Sequence, residues 1–92
     1  MNVVWDSAKT LANLRKHGVD FADAAVALED ENGLTISDLD HGEYRFKTLA
    51  LSPAVEVLLI VHTEQDEDTI RIISARKADR SEQRQYFEGG ME

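Results

Sequence analysis

The chain has 92 residues, 42% of them hydrophobic and 30% charged, with no cysteine and a net charge of -8 at pH 7. That length supports one domain over 1–92 with a single modest core, and the missing cysteine excludes both a disulfide framework and a thiolate zinc site. No apolar run approaches the roughly 20 residues needed to span a bilayer and no leader-like segment opens the chain, so the cytoplasm is the expected compartment.

Val3 and Val4 form a short apolar lead-in. Asp6 is an N-cap candidate, because its carboxylate can accept from the unpaired amides of a first helical turn. Ala8, Leu11, Ala12 and Leu14 then recur at helical spacing, and Gly18 marks a left-handed stop, so a helix is predicted over about 7–17 with those residues inward. Asp20 caps a second helix with Phe21, Ala24, Ala25 and Leu28 on its inner side. The short connection predicts an antiparallel helical hairpin.

After Asn32-Gly33 the period changes to that of strands. Leu34, Ile36 and Leu39 alternate with polar residues, and 43–49 alternates too, with Tyr44 and Phe46 opposed to Glu43, Arg45 and Lys47. Pro53 breaks the pattern. Val55 to Val61 is nearly all apolar, as befits a central strand, and Ile70 to Ala75 follows after an acidic loop at 63–68. Asp79 with Glu82 three residues on is a capping-box start for a last helix to about Phe87, ended by Gly89-Gly90. The order β-α-α-β-β-β-β-α predicts an α+β fold: a four-stranded antiparallel sheet, with a short N-terminal strand at Val3–Val4, and helices on one side.

A net acidic chain runs against nucleic-acid binding, where phosphate contacts supply most of the affinity. The acid is unevenly spread, however: 29–31 and 64–68 are acidic, whereas basic residues cluster at 9–16, 45–47 and 71–84. A local basic face is compatible with that distribution. Lys9, Asn13, Lys16 and His17 fall on one helix face. They suit a substrate-facing strip in which an imidazole can exchange a proton; on spacing alone the simpler account is a solvated face opposite Leu11 and Leu14, with Lys16 and His17 complementing the helix dipole. Glu43, Arg45 and Lys47 share a strand face, with Arg71 and Arg76-Lys77 on the last strand and just beyond. Such a set fits phosphoryl chemistry, which needs fixed donors for developing charge, or cross-strand salt bridges on a wet sheet. On the C-terminal helix Arg80 and Arg84 could hold phosphate and Tyr86 could stack on a base, or Tyr86 and Phe87 could dock the helix on the core. No phosphate-binding glycine loop, metal-ligand spacing or nucleophile elbow is present.

Together these segments resemble the BrnT family of toxins. The matching residues are Trp5-Asp6 with Lys9 and Asn13, Lys16-His17-Gly18-Val19 with Phe21 and Ala24, Asp30, Gly42-Glu43 and Arg45. The most specific stretch is Arg71-Ile72-Ile73-Ser74-Ala75-Arg76-Lys77-Ala78, followed by Glu82, Arg84 and Tyr86. The chain departs from the family at Ala50, where members often carry glycine. The resemblance implies a RelE-like fold and a ribonuclease that cleaves RNA without a metal or other cofactor, inhibiting translation. It also implies neutralisation by a BrnA-like ribbon-helix-helix antitoxin in a heterotetramer, with promoter DNA bound only through the antitoxin and no membrane role. On that footing the expected catalytic set is Arg76, Arg71, His17, Glu43, Arg45 and Lys16, with Lys9, Asn13, Lys77, Arg84 and Tyr86 binding RNA. A non-catalytic domain that binds a ribbon-helix-helix partner is the alternative, and a metal-dependent nuclease is disfavoured by the missing ligand spacing.

Overall fold

A computed structural model describes residues 1–38 and 44–89. Its elements are β1 (Asn2–Val4), α1 (Ser7–His17), α2 (Phe21–Ala27), β2 (Leu34–Asp38), β3 (Arg45–Leu51), β4 (Val57–Asp66), β5 (Thr69–Lys77) and α3 (Arg80–Glu88). The helix boundaries follow local chemistry. Asp6 accepts from the Ala8 and Lys9 amides, Asp20 accepts from Ala22, and Asp79 with Glu82 closes a full capping box. Gly18 and Gly89 end α1 and α3 with φ of 71° and 78°, a backbone region that costs a side-chain-bearing residue steric strain.

Among the described residues the sheet has five strands, in the order β1-β5-β4-β3-β2. It is mixed rather than four-stranded and antiparallel, because β1 adds to the edge of β5 in parallel, Val3 beside Ile70 and Val4 beside Arg71. The central strand begins at Val57, two residues later than its apolar run suggests, since Val55 sits in the preceding turn at φ 61°. The acidic segment expected as a loop is mostly strand. β4 continues to Asp66, and a tight turn at Glu67 and Asp68 leads into β5, with the Asp66 carboxylate accepting from the Asp68 amide at 2.9 Å.

Alternation along β4 divides the core in two. Leu58 and Ile60 join Ala50, Ile72, Ala75 and the buried side of α2, Phe21, Ala24 and Ala27. Leu59 and Val57 face the other way, with Leu49, Ala78 and Tyr86 of α3. Helices therefore cover both faces, not one. Nor do α1 and α2 form the expected close hairpin: each packs more on β5 than on the other helix.

Helix α1 is turned around relative to its apolar pattern. Leu11 is 55% exposed and Leu14 43%, whereas Asn13 is buried at 7%. The cause is the edge of β5, which β1 covers only as far as Arg71. Beyond it, Asn13 Nδ2 donates to Ala75 O and Val19 O, both at 2.8 Å, and its Oδ1 accepts from Ala75 N at 3.2 Å. An uncovered strand edge needs polar partners, so the polar side of the helix turns inward and the leucines turn out.

Candidate functional site

Strand register sorts the face that carries α3 into rows. Leu34, Leu49, Leu59 and Arg76 align in the first, beneath α3. Ile36, Lys47, Val61 and Ser74 form the second. In the third, Asp38 pairs with Arg45 on one side of the sheet and Thr63 with Arg71 on the other. Apart from the buried Asp38, side chains of the last two rows are half-exposed. Arg45, Lys47, Arg71 and Arg76 thus stand on one face, with Arg71 and Arg76 four residues apart in register along β4, roughly 13 Å.

At the neighbouring edge, Lys9, Asn13, Lys16 and His17 of α1 line a cleft together with Ile73 and Ser74 of β5. Ser74 belongs to the second row, two residues from Arg76 on the same strand, so the cleft runs into the cation-bearing face. A bulge between Val61 and His62 makes Ile73 the extra residue here and twists the strand locally.

Arg76, Arg71 and Lys47 are each held differently. Arg76 donates from Nη1 to Glu82 Oε1 at 2.7 Å and from Nη2 to Glu82 Oε2 at 2.9 Å. That bidentate bond raises the Arg76 pKa, and it holds Glu82 below the usual carboxylate range despite partial burial. Arg71 faces Gln65, whose side-chain oxygen in its satisfied orientation accepts from Nε at 2.8 Å and Nη2 at 3.1 Å. Lys47 lies 3.8 Å from the Asp38 carboxylate.

The remaining residues singled out from sequence separate into three groups. Asn13 lines the cleft, but both of its amide hydrogens are taken by backbone carbonyls, which makes it a structural residue. Tyr86 is 8% exposed and donates its hydroxyl to Asp30 Oδ2, so it docks α3 rather than presenting a ring to a base. Burial, the hydrogen bond and the Asp30 charge push its pKa up to about 12. Lys77 points from the opposite face and pairs with Glu56 at 3.1 Å, and Arg84 is exposed on α3. Glu43 lies outside the described residues.

Ser74, and Glu82 as the partner of Arg76, escaped sequence reasoning. The capping box was visible, but no periodicity joins the end of a strand to a helix six residues on. The third unforeseen residue is His62, on the face opposite the cations and 5% exposed. Its Nε2 is 2.8 Å from Thr48 Oγ1, its ring stacks on Phe46, and its Nδ1 has no partner among the described residues. Burial drives its pKa down to about 4. Among the described residues, no three histidine, aspartate or glutamate side chains are grouped to hold a metal, and no helix is long and apolar enough to cross a membrane.

The family model for the ribonuclease toxin BrnT of type II toxin-antitoxin systems matches residues 5–82. A crystal structure of the Brucella abortus ribonuclease toxin BrnT is similar in fold, with a TM-score of 0.68 and 23% sequence identity over 87% of this chain and 99% of that one. None of the curated proteins matches.

Proposed function

The chain belongs to the BrnT family of ribonuclease toxins of type II toxin-antitoxin systems, and from that premise we propose that it is an endoribonuclease working without a metal on the open, cation-bearing face of the sheet. The observation that carries this reading is the convergence of Arg45, Lys47, Arg71 and Arg76 on one face, beside the Lys9, Lys16 and His17 cleft. Two acidic clusters, at 29–31 and 64–68, contribute to the net negative charge, while Asp38 and Glu82 stand among the cations as partners of Lys47 and Arg76.

In this mechanism the ribose 2′-hydroxyl attacks the adjacent phosphorus and the bond to the 5′-oxygen breaks. The products are a 2′,3′-cyclic phosphate and a 5′-hydroxyl end. A base takes the 2′-proton and an acid supplies one to the leaving oxygen. Arg76 and Arg71 bind the phosphate and its crowded transition state, where preorganised cations count most; Arg45, Lys47 and Lys16 assist. His17 is the proton-transfer group of the cleft, with Glu43 a second candidate. Lys9 holds the flanking RNA backbone, and Arg84 extends the electrostatic reach along α3.

An antitoxin of the BrnA-like, ribbon-helix-helix type restrains the toxin in a heterotetramer in the cytoplasm, and release of the toxin inhibits translation. The acidic surfaces away from the site suit a basic partner.

Incubating the purified chain with total RNA in EDTA, beside Arg76→Ala, tests the reading. Degradation by the parent alone is expected. No degradation by either protein would favour a domain that only binds its partner, and equal degradation by both would remove Arg76 from the site.

A further inference from the structure

A guanidinium carries five N–H donors in a rigid plane. In Arg76 the two inner hydrogens of Nη1 and Nη2 go to the two oxygens of Glu82, and the outer hydrogen of Nη1 goes to Lys77 O at 3.3 Å. Nε–H and the outer hydrogen of Nη2 remain. They lie parallel along one edge of the plane and have no partner among the described residues. That edge is a second complete fork, spaced for two oxygens of a phosphodiester.

Glu82 is itself fixed. Its Oε1 also accepts from the Asp79 amide at 2.9 Å, its own amide donates to Asp79 Oδ1 at 2.8 Å, and α3 is anchored through Tyr86 to Asp30. The Arg76 side chain is therefore held at its root by β5 and at its tip by the first turn of α3. A glutamate in this place lowers the net charge offered to phosphate, which weakens ground-state attraction. In exchange it removes the rotamer freedom of a long side chain before the phosphate arrives.

We propose that Glu82 is a positioning residue: by engaging one fork of Arg76 it fixes the other for two non-bridging oxygens of the scissile RNA phosphate. This rests on the ribonuclease reading given above. The consequence is a split between binding and turnover. Glu82→Gln keeps the shape, and its amide oxygen can still accept from Asp79, but it replaces one acceptor of the fork with a donor that faces Nη2–H. The variant should fold with little change in thermal midpoint and bind RNA as tightly or more tightly, because a negative charge is gone. Its kcat should fall by about tenfold or more, since misplacement of a catalytic contact is expensive in rate.

The decisive measurement pairs single-turnover cleavage with the ¹⁵N-resolved Nε–H resonance of Arg76, using a 2′-O-methyl RNA oligonucleotide that cannot be cleaved. In the parent the resonance should be sharp and should move on adding the oligonucleotide. In Glu82→Gln it should broaden or vanish, with kcat reduced and KM unchanged or lower. Full or raised kcat in Glu82→Gln, or a sharp resonance that responds to RNA as in the parent, overturns the positioning role and makes Glu82 a cap or a brake. A parent whose Arg76 resonance responds to RNA but which cuts none overturns the ribonuclease reading and leaves the positioning geometry standing. A parent that neither responds nor cuts overturns both.

Discussion

Asn13 and Ala75, 62 positions apart, pair as two strands would: the side-chain amide of one meets both backbone groups of the other. The third bond, to Val19 O, ties the loop between α1 and α2 into the same joint. Replacing Asn13 with Ala leaves three buried backbone groups without partners, each worth about 1–3 kcal/mol when left unpaired, so a total loss of about 3 kcal/mol is expected after partial rehydration. Asn13→Asp should do no better, because a carboxylate cannot donate to either carbonyl. Urea titration of the two variants checks this; a loss below about 1 kcal/mol in both would show that the joint is not important to the fold.

Tyr86 and Asp30 make a second long-range joint, which tests whether Tyr86 stabilises or reacts. Asp30 Oδ2 accepts from both the Tyr86 hydroxyl and the Leu51 amide, the latter at 2.9 Å, and Oδ1 accepts from Asn32. Burial opposes the Asp30 charge, yet these bonds still lower its pKa. Tyr86→Phe keeps the ring packed against Leu49 and Leu59 but removes a hydrogen bond to a charged acceptor, at a cost of about 2 kcal/mol. Cleavage of RNA by the folded fraction should stay within about twofold of the parent. A large loss of rate without a loss of stability would return Tyr86 to the chemistry.

Much of this architecture was written in local signals, and the errors share one cause. Asp6, Asp20, Asp79 with Glu82, Gly18 and Gly89 mark helix ends through contacts a few residues long, so the order of elements and all three helices could be placed from the sequence. The parallel addition of β1, the inward turn of Asn13 and the docking of Tyr86 depend on partners about 60 residues away, which hydrophobic periodicity does not encode. Leu11 and Leu14 form an apolar stripe that would ordinarily mark the buried side of α1, but the polar needs of the β5 edge decide the rotation of the helix. The same logic applies to the site. Arg45, Lys47 and Arg71 could be grouped by alternation, but the grip of Glu82 on Arg76, and the diversion of Lys77 to the other face, needed the fold.

His62 predicts how stability responds to acid. Its pKa is about 6.5 in an unfolded chain and about 4 in the folded protein. The unfolded state therefore binds the proton more readily, so the native state is fully favoured above pH 6.5 and loses stability as pH falls from 6.5 to about 4. The shift corresponds to about 3 kcal/mol, by the usual conversion of 1.36 kcal/mol per pKa unit. Denaturant midpoints measured between pH 7 and 4 should fall steadily in the parent and less steeply in His62→Gln, which cannot titrate. Parallel curves for the two proteins would show that other groups govern the acid response.

Val55 offers the opposite experiment, a substitution expected to stabilise. It is the β-branched residue of the turn between β3 and β4, at φ 61° and largely exposed, with its amide donating to Ser52 O at 2.9 Å. Cβ branching crowds the following carbonyl in this left-handed region, a cost of roughly 1–2 kcal/mol for an ordinary L-residue. Asparagine tolerates the same backbone, so Val55→Asn should raise stability by about 0.5–1 kcal/mol. Glycine relieves the strain too, but it gives the unfolded chain more freedom to lose and should gain less. The turn lies at the opposite end of β4 from the rows that carry Lys47 and Arg71, and the Val55 side chain has no part in the proposed chemistry, so RNA cleavage should not change. Calorimetry of the three proteins decides: midpoints in the order Val55→Asn, Val55→Gly, parent would locate the strain at this residue, whereas a parent at least as stable as both would mean that the Val55 side chain contributes packing that outweighs it.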